Sequence, residues 1–129
     1  MYRIKRQENL KETLLIEYKD KELVVNVEMN ITEKMKAYTS ASRKLEIFLT
    51  KASKNEVDSK ALGEAIVSLF VLIFGEKQTN EIIAFYDDDY TSMLIDIMPF
   101  IRDVVTPMFA KARKEKIALM KKNTKRRFI

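Results

Sequence analysis

The chain of 129 residues contains no cysteine and no histidine. Without cysteine there can be no disulfide framework, so we expect a reducing cytoplasm as the compartment. The histidine base that usually activates a serine or cysteine nucleophile is also missing, as are the usual zinc ligands. Two separated glycines, Gly63 and Gly75, cannot form a glycine-rich phosphate loop. These absences predict a protein that is not an enzyme and that uses no cofactor and no metal.

Glycine and proline are scarce, with two of each, and both disfavour helix interiors. Their scarcity therefore predicts long helices with few tight turns. The longest nearly apolar run, residues 65–74, has about half the length that a membrane-spanning helix needs. The first residues are charged and precede no apolar stretch, so we predict no signal peptide and no membrane association.

The charge is divided unevenly along the chain. Residues 111–127 hold nine lysines or arginines and one acid, Glu115, for a net charge of +8, whereas the other residues sum to −3. The sequence therefore predicts a mildly acidic body followed by a basic tail.

Two runs rich in β-branched and apolar residues lie between positions 14 and 27, around the short charged link 19–22. This pattern predicts a β-hairpin, although the link has no glycine to indicate its turn type. A two-stranded hairpin is marginal alone, so we expect it to pack on the helices or on another subunit. Residues 1–12 are expected to be extended or loosely ordered.

Signals for helix starts and stops follow the hairpin. Asn30 with Glu33 is typical of a capping box before an amphipathic helix that ends near residue 52. Asp58 is the predicted cap of a second helix, 59–74, whose nearly all-round apolar surface places it in the middle of the bundle. Gly75 is its stop signal. A third helix is expected to begin at Glu76 or Thr79 and to end at residue 86.

The second half of the body contains two prolines. The run 87–89, Asp-Asp-Asp, is predicted to be a loop whose charge favours the next helix N-terminus, near Thr91. Pro99 is expected to kink this fourth helix or to end it near Met98. Thr106 followed by Pro107 predicts an N-cap and a last helix that continues to about residue 123.

We therefore predict a mainly α (α+β) fold, a bundle of about four to five helices with a short N-terminal β-hairpin. The chain is expected to form a single domain over 1–129, with the hairpin at 12–28, the helical body at 30–110 and the basic helical tail at 111–129.

Two sets of residues are candidates for binding. Flexible methionine and aromatic side chains suit a groove for a partner helix, although helical spacing also explains them as core. The candidate partner-binding residues are Phe70, Ile73, Phe74, Phe85, Tyr86, Met93, Met98, Phe100, Met108 and Phe109. The candidate electrostatic tail comprises Lys114, Lys116, Lys121, Lys122, Lys125, Arg126 and Arg127. The tail pattern fits a solvated terminus, an acidic partner or nucleic acid. The run 87–89 lacks the alternating ligands and the glycine of a calcium loop, so a capping loop is favoured over a metal site.

The order of these features is similar to that of a known family. A hairpin leads into a body with the segments LIFGE at 72–76, IIAFYDDDY at 82–90 and MLIDIMPFI at 93–101, and a basic helical tail follows. Over about residues 12–125 the chain resembles the tail assembly chaperones of siphophages and prophages of Gram-positive bacteria.

This resemblance implies a specific role. Such chaperones bind the long helical tape measure protein, keep it soluble, help to recruit tail tube protein, often form homo-oligomers and are absent from the mature virion. The chain would then act in the cytoplasm of the host bacterium. Many of these families also make a longer form by ribosomal frameshifting.

The alternative is a small helical nucleic-acid-binding phage accessory or regulatory protein that uses the basic tail. The acidic body argues against it, as does the lack of a helix-turn-helix with a basic recognition helix. The tail also has only one aromatic residue, Phe128, for stacking on bases.

Overall fold

The computed structural model describes residues 1–2, 9–52, 54 and 59–128 of the chain. Strands β1 and β2 come first and are followed by five helical elements, with a π-helical segment between the last two. The bounds are β1 Asn9–Tyr18, β2 Lys21–Asn30, α1 Ile31–Ala52, α2 Ser59–Phe74, α3 Glu76–Phe85, α4 Tyr90–Phe100, the π-helical segment Ile101–Val105 and α5 Thr106–Phe128. This confirms the predicted mainly helical fold with an N-terminal β-hairpin.

The two strands form an antiparallel hairpin that is longer than predicted. Pairing runs from Tyr18 opposite Lys21 to Asn9 opposite Asn30, so the hairpin extends beyond the predicted range 12–28 at both ends. The turn residues Lys19 and Asp20 both have positive φ, 49° and 62°. This is the geometry of a two-residue type I′ turn, which matches the twist of the strands. The turn contains no glycine, and for this reason its type could not be predicted from the sequence.

One face of the hairpin is buried. Leu10, Ile16, Val25, Val27 and Met29 are at most 8% exposed, and β2 packs against α1, α2 and α3. Burial of this apolar face supplies the support that an isolated two-stranded sheet lacks.

The side chain of Gln78 on α3 closes part of the free edge of β2. Its Oε1 accepts the backbone N–H of Asn26 at 2.9 Å, and its Nε2 donates to the carbonyl oxygens of Asn26 at 2.6 Å and Phe74 at 2.9 Å. The amide thus does for Asn26 what the backbone of a third strand would do.

Gln78→Glu is expected to lower the free energy of unfolding by about 1–3 kcal/mol at neutral pH. A carboxylate can still accept from Asn26 but cannot donate to the two carbonyl oxygens, which it would face with its negative charge. Asn80→Asp, the same chemical change at an exposed position of α3, is the control. Urea unfolding of both variants measures the difference, and equal midpoints would contradict this role.

Helix α1 begins where the sequence predicts. The N–H of Glu33 donates to Asn30 Oδ1 at 2.9 Å, which confirms Asn30 as N-cap. The predicted cap of α2, Asp58, lies outside the described residues. Helix α2 contacts α1, α3, α4 and β2, and its side chains from Ala65 onward include six that are buried. Its predicted central position is confirmed.

The junctions after α2 and α3 also follow the sequence signals. Gly75 has φ +81° between α2 and α3, a conformation that side chains disfavour, and this explains glycine there. Asp89 caps α4: its carboxylate accepts from the N–H of Ser92 at 3.1 Å and from the hydroxyl at 2.7 Å.

Pro99 does not end its helix. Helix α4 continues to Phe100 and passes into the π-helical segment, in which Thr106 N–H donates to the carbonyl of Ile101. Pro99 is on the exposed side, whereas Ile97 and Ile101 on either side of it are each 3% exposed. Burial of these flanking residues holds the chain helical, and a wide turn lies just beyond the proline.

Thr106 does not act as an N-cap either. Its φ of −58° and ψ of −45° are helical, whereas an N-cap is normally extended. The predicted N-cap role of Thr106 was therefore wrong. Helix α5 does begin at Thr106, but the chain runs from α4 to α5 without leaving helical geometry. Helix α5 continues to Phe128, beyond the predicted end near residue 123. Among the described residues, every helix is too short or too polar to span a lipid bilayer.

Candidate functional site

The acidic run 87–89 forms the turn between α3 and α4. Asp87 and Asp88 have positive φ, 53° and 63°, and Asp89 caps α4. Asp87 Oδ2 lies 3.7 Å from Lys21 Nζ. Hydrogen bonds from Ser92 lower the pKa of Asp89. Within the described residues there is no group of three acidic, histidine or cysteine side chains that could hold a metal ion.

Six of the ten candidate partner-binding residues are core residues. Each is at most 5% exposed, and these are Phe70, Ile73, Phe74, Tyr86, Met93 and Phe109. Their apolar surface is already covered by the chain itself, so they cannot meet a partner in this conformation. The other four, Phe85, Met98, Phe100 and Met108, are half-buried and pack against the core.

The half-buried residue Phe85 belongs to an aromatic cluster between the hairpin and α3. Tyr18 lies with its ring centroid 4.5 Å from that of Tyr86 and 6.3 Å from that of Phe85. Lys21 Nζ lies 5.5 Å from the Phe85 centroid and also donates to the Phe85 carbonyl at 3.3 Å. The cluster fixes the hairpin on the helices, which accounts for Phe85 without a ligand.

Tyr86 donates from its hydroxyl to Asp96 Oδ2 at 3.0 Å. Burial is the main cause that raises the pKa of Tyr86 well above its ordinary value, and the neighbouring Asp96 carboxylate adds to it. In the unfolded chain the same phenol ionises near pH 10.

The Tyr86 phenol is therefore expected to make stability fall as pH rises above about 10. Below that pH the phenol is protonated in both states. Above it, only the unfolded chain gains by ionising, so the unfolded state is favoured. Urea unfolding at about pH 8 and about pH 11 should show a larger loss for the wild type than for Tyr86→Phe. Tyr90→Phe, at an exposed tyrosine, should behave as wild type. Equal losses in all three proteins would contradict the shifted pKa.

A concave surface of the helical body lies between α1 and α5. It has a volume of about 470 Å³ and is lined by Met35, Lys36, Thr39, Ser40, Arg43, Lys44, Ile47 and Arg113. We call this surface the basic groove. An adjoining cavity of about 270 Å³ shares Met35, Thr39, Arg43 and Arg113 with it and extends toward Phe109 and Ala110.

Four cations border the basic groove. Lys36, Arg43 and Lys44 lie on α1 and Arg113 on α5, and all four are exposed. None of them has an ion-pair partner among the described residues. Glu46 is the only acid among the described residues that line the two cavities. Within the described part of the chain, the groove therefore combines apolar side chains with four cations that form no ion pair.

Helices α1 and α5 pack against each other through one aromatic stack. The rings of Tyr38 and Phe109 are 4.1 Å apart at an interplanar angle of 6°, and the Tyr38 hydroxyl lies 2.6 Å from Thr106 Oγ1. These contacts fix the position of α5 where it leaves the π-helical segment, and so they set the width of the basic groove.

The predicted basic tail forms the second half of α5. Lys114, Lys116, Lys121 and Lys122 are exposed on this helix, together with the apolar Ile117, Leu119 and Met120 at 44%, 48% and 60% exposure. The structure does not describe the side chains of the remaining three candidates, Lys125, Arg126 and Arg127. The tail is thus helical and presents both charge and apolar surface.

A further apolar patch lies on the outer face of the hairpin. Leu15 and Val24 stand directly opposite each other and are each 58% exposed. Glu17 and Glu22 form the next pair on this face, and like charges in such a pair are destabilising. This outer face was not predicted as a binding surface.

The basic groove was not predicted from the sequence. None of the residues that line it was among the candidate binding residues. Arg43 and Arg113 are 70 positions apart in the sequence, and only the docking of α5 on α1 brings them to one surface. A signal was present in the exposed Ile47, which interrupts the polar side of α1.

Comparison with known proteins gives no relative for this chain. No family model matches it, and neither a curated protein nor a solved structure matches it significantly.

Proposed function

We propose that this protein is a phage tail assembly chaperone that binds the tape measure protein, keeps it soluble and assists tail tube assembly. It would act in the cytoplasm of the bacterial host, possess no enzymatic activity and be absent from the mature virion. Tail tube protein and further copies of the chain are its other proposed partners.

The observation that best supports this role is the basic groove. It runs between two helices, and its lining includes two apolar side chains of α1, Met35 and the 52% exposed Ile47. Helix-in-groove recognition needs this combination of length and apolar surface, with a flexible methionine that adapts to different apolar faces. The sequence resemblance supplies the identity of the helical client.

Co-expression tests the proposal. Fragments of the tape measure protein encoded beside this chain in a phage or prophage genome should move from the insoluble to the soluble fraction when it is present. They should also co-purify with it. Co-expression with an unrelated small helical protein is the control. Fragments that remain equally insoluble in both cases would contradict the chaperone role.

The nucleic-acid-binding alternative is supported by one observation, the exposed lysines on α5. Binding of this kind neutralises phosphates and weakens steeply with salt. A mobility shift of random DNA that persists near physiological salt and is lost in Lys121→Glu would favour it over the chaperone role. The chaperone proposal expects no such shift.

A further inference from the structure

We propose that the basic groove selects helical segments with an apolar stripe flanked by acidic residues. The proposal rests on the chaperone role, and it adds which chemistry in a client helix this groove recognises. Its occupant is therefore a partner protein segment with glutamate or aspartate beside its apolar face, rather than any apolar helix.

The charge of the groove complements that of such a helix. The four cations Lys36, Arg43, Lys44 and Arg113 border the groove without an ion-pair partner among the described residues. They stand on both sides, three on α1 and one on α5. A helix lying between them with carboxylates on both edges of its apolar stripe places opposite charges next to each cation. Such complementarity acts mainly on specificity and association rate.

The spacing of the cations also matches that of carboxylates on a helix. Lys36 and Arg43 are seven residues apart on α1, which at the helical rise of 1.5 Å is about 10.5 Å, or two turns. Carboxylates at positions i and i+7 of an occupant helix have the same separation. Met35 and Ile47 lie at the two ends of the groove, about 18 Å apart along α1, so the occupant needs at least about twelve helical residues.

The apolar side chains of the groove favour a protein over nucleic acid. Ile47 is 52% exposed, and it lines the groove together with Met35. An amphipathic helix of at least about twelve residues covers both side chains. A phosphate backbone gains nothing from them, and the described lining of the groove contains no aromatic ring on which a base could stack.

Three synthetic helices test the inference. Each has about 18 residues and the same leucine stripe, and the flanking positions are all glutamate, all glutamine or all lysine. Fluorescence anisotropy with the full chain should show the glutamate peptide binding at least about tenfold more tightly than the lysine peptide. The glutamine peptide should be intermediate. This preference should shrink as salt rises from about 0.05 to about 0.5 M.

Two variants in the groove and one control locate the binding. Arg43→Glu should remove most of the preference for the glutamate peptide, whereas the control Lys77→Glu, a change from a cation to glutamate at an exposed lysine on α3, should leave it intact. Ile47→Gln should weaken all three peptides alike. All three positions are exposed, and unchanged thermal unfolding confirms that the variants fold.

Equal binding of the glutamate and lysine peptides would overturn the inference, as would equal effects of Arg43→Glu and Lys77→Glu. Displacement of the glutamate peptide by a short DNA duplex, lost in Arg43→Glu, would assign the groove to nucleic acid instead. The result is separable from the chaperone test. Client fragments that stay soluble with Arg43→Glu would support the chaperone role and contradict the proposed role of the groove. Selectivity for the glutamate peptide without solubilisation of client fragments would support the role of the groove and contradict the chaperone role.

Discussion

Phe70→Ala is expected to lower the free energy of unfolding by about 3–5 kcal/mol. Phe70 is 0% exposed on the central helix α2, and its ring lies 5.5 Å from that of Phe74. Truncation to alanine removes the transfer energy of the ring and leaves a cavity, because the surrounding helices relax only in part. A domain of this size has about 5–15 kcal/mol in total, so this loss is a large fraction of its stability, and the variant should unfold at a clearly lower urea concentration and temperature than the wild type.

Val71→Ala is the matched control for this substitution. Val71 follows Phe70 on the same helix but is 37% exposed, so its truncation should cost far less, about 0.5 kcal/mol. Urea unfolding followed by circular dichroism measures both. A Phe70→Ala midpoint close to that of Val71→Ala would show that Phe70 is not packed in the core as described.

Tyr38→Ala is expected to cost about 3–4 kcal/mol and to loosen the contact between α1 and α5. Tyr38 is 4% exposed and stacks on Phe109 with the ring centroids 4.1 Å apart. The substitution removes this stack together with the hydroxyl contact to Thr106. Because both contacts hold α5 against α1, the side of the basic groove that α5 forms with Arg113 should become loosely positioned.

Tyr38→Phe separates the two contributions. It keeps the stacked ring and removes only the hydroxyl, and Thr106 is exposed and can turn to water, so the expected cost is about 0.5–1.5 kcal/mol. Hydrogen exchange should show α5 exchanging faster in Tyr38→Ala and nearly unchanged in Tyr38→Phe. Unchanged exchange in both variants would contradict the role of the stack.

Short-range features of the fold were predicted well. Asn30, Gly75 and Asp89 occur at the ends of their helices because capping and positive φ depend on the residue itself and its immediate neighbours. The hairpin likewise follows from alternation within a few residues. Such local preferences can be predicted from a short stretch of sequence, because they do not depend on how the rest of the molecule packs.

The expectation that Pro99 could end its helix near Met98 and the prediction of an N-cap at Thr106 failed for the opposite reason. Local preference favours a break at each, but burial of Ile97, Ile101 and Val105 on the inner side keeps the chain helical from α4 to α5. Tertiary packing of three apolar side chains outweighs the local cost of one proline at an exposed position. Instead of ending, the helix widens into the π-helical turn at Ile101–Val105.

For the candidate site, the sequence determined which kinds of side chain are present, and the tertiary structure decided which of them are available. Absence of histidine and cysteine and the concentration of charge after residue 111 are properties of the sequence alone. It could not show that Phe70, Tyr86 and Met93 are buried, because an apolar residue at helical spacing reads the same in a core and in a groove. The sequence also could not show that Arg43 and Arg113 line the same groove, because the two residues come together only after α5 packs on α1 through Tyr38 and Phe109.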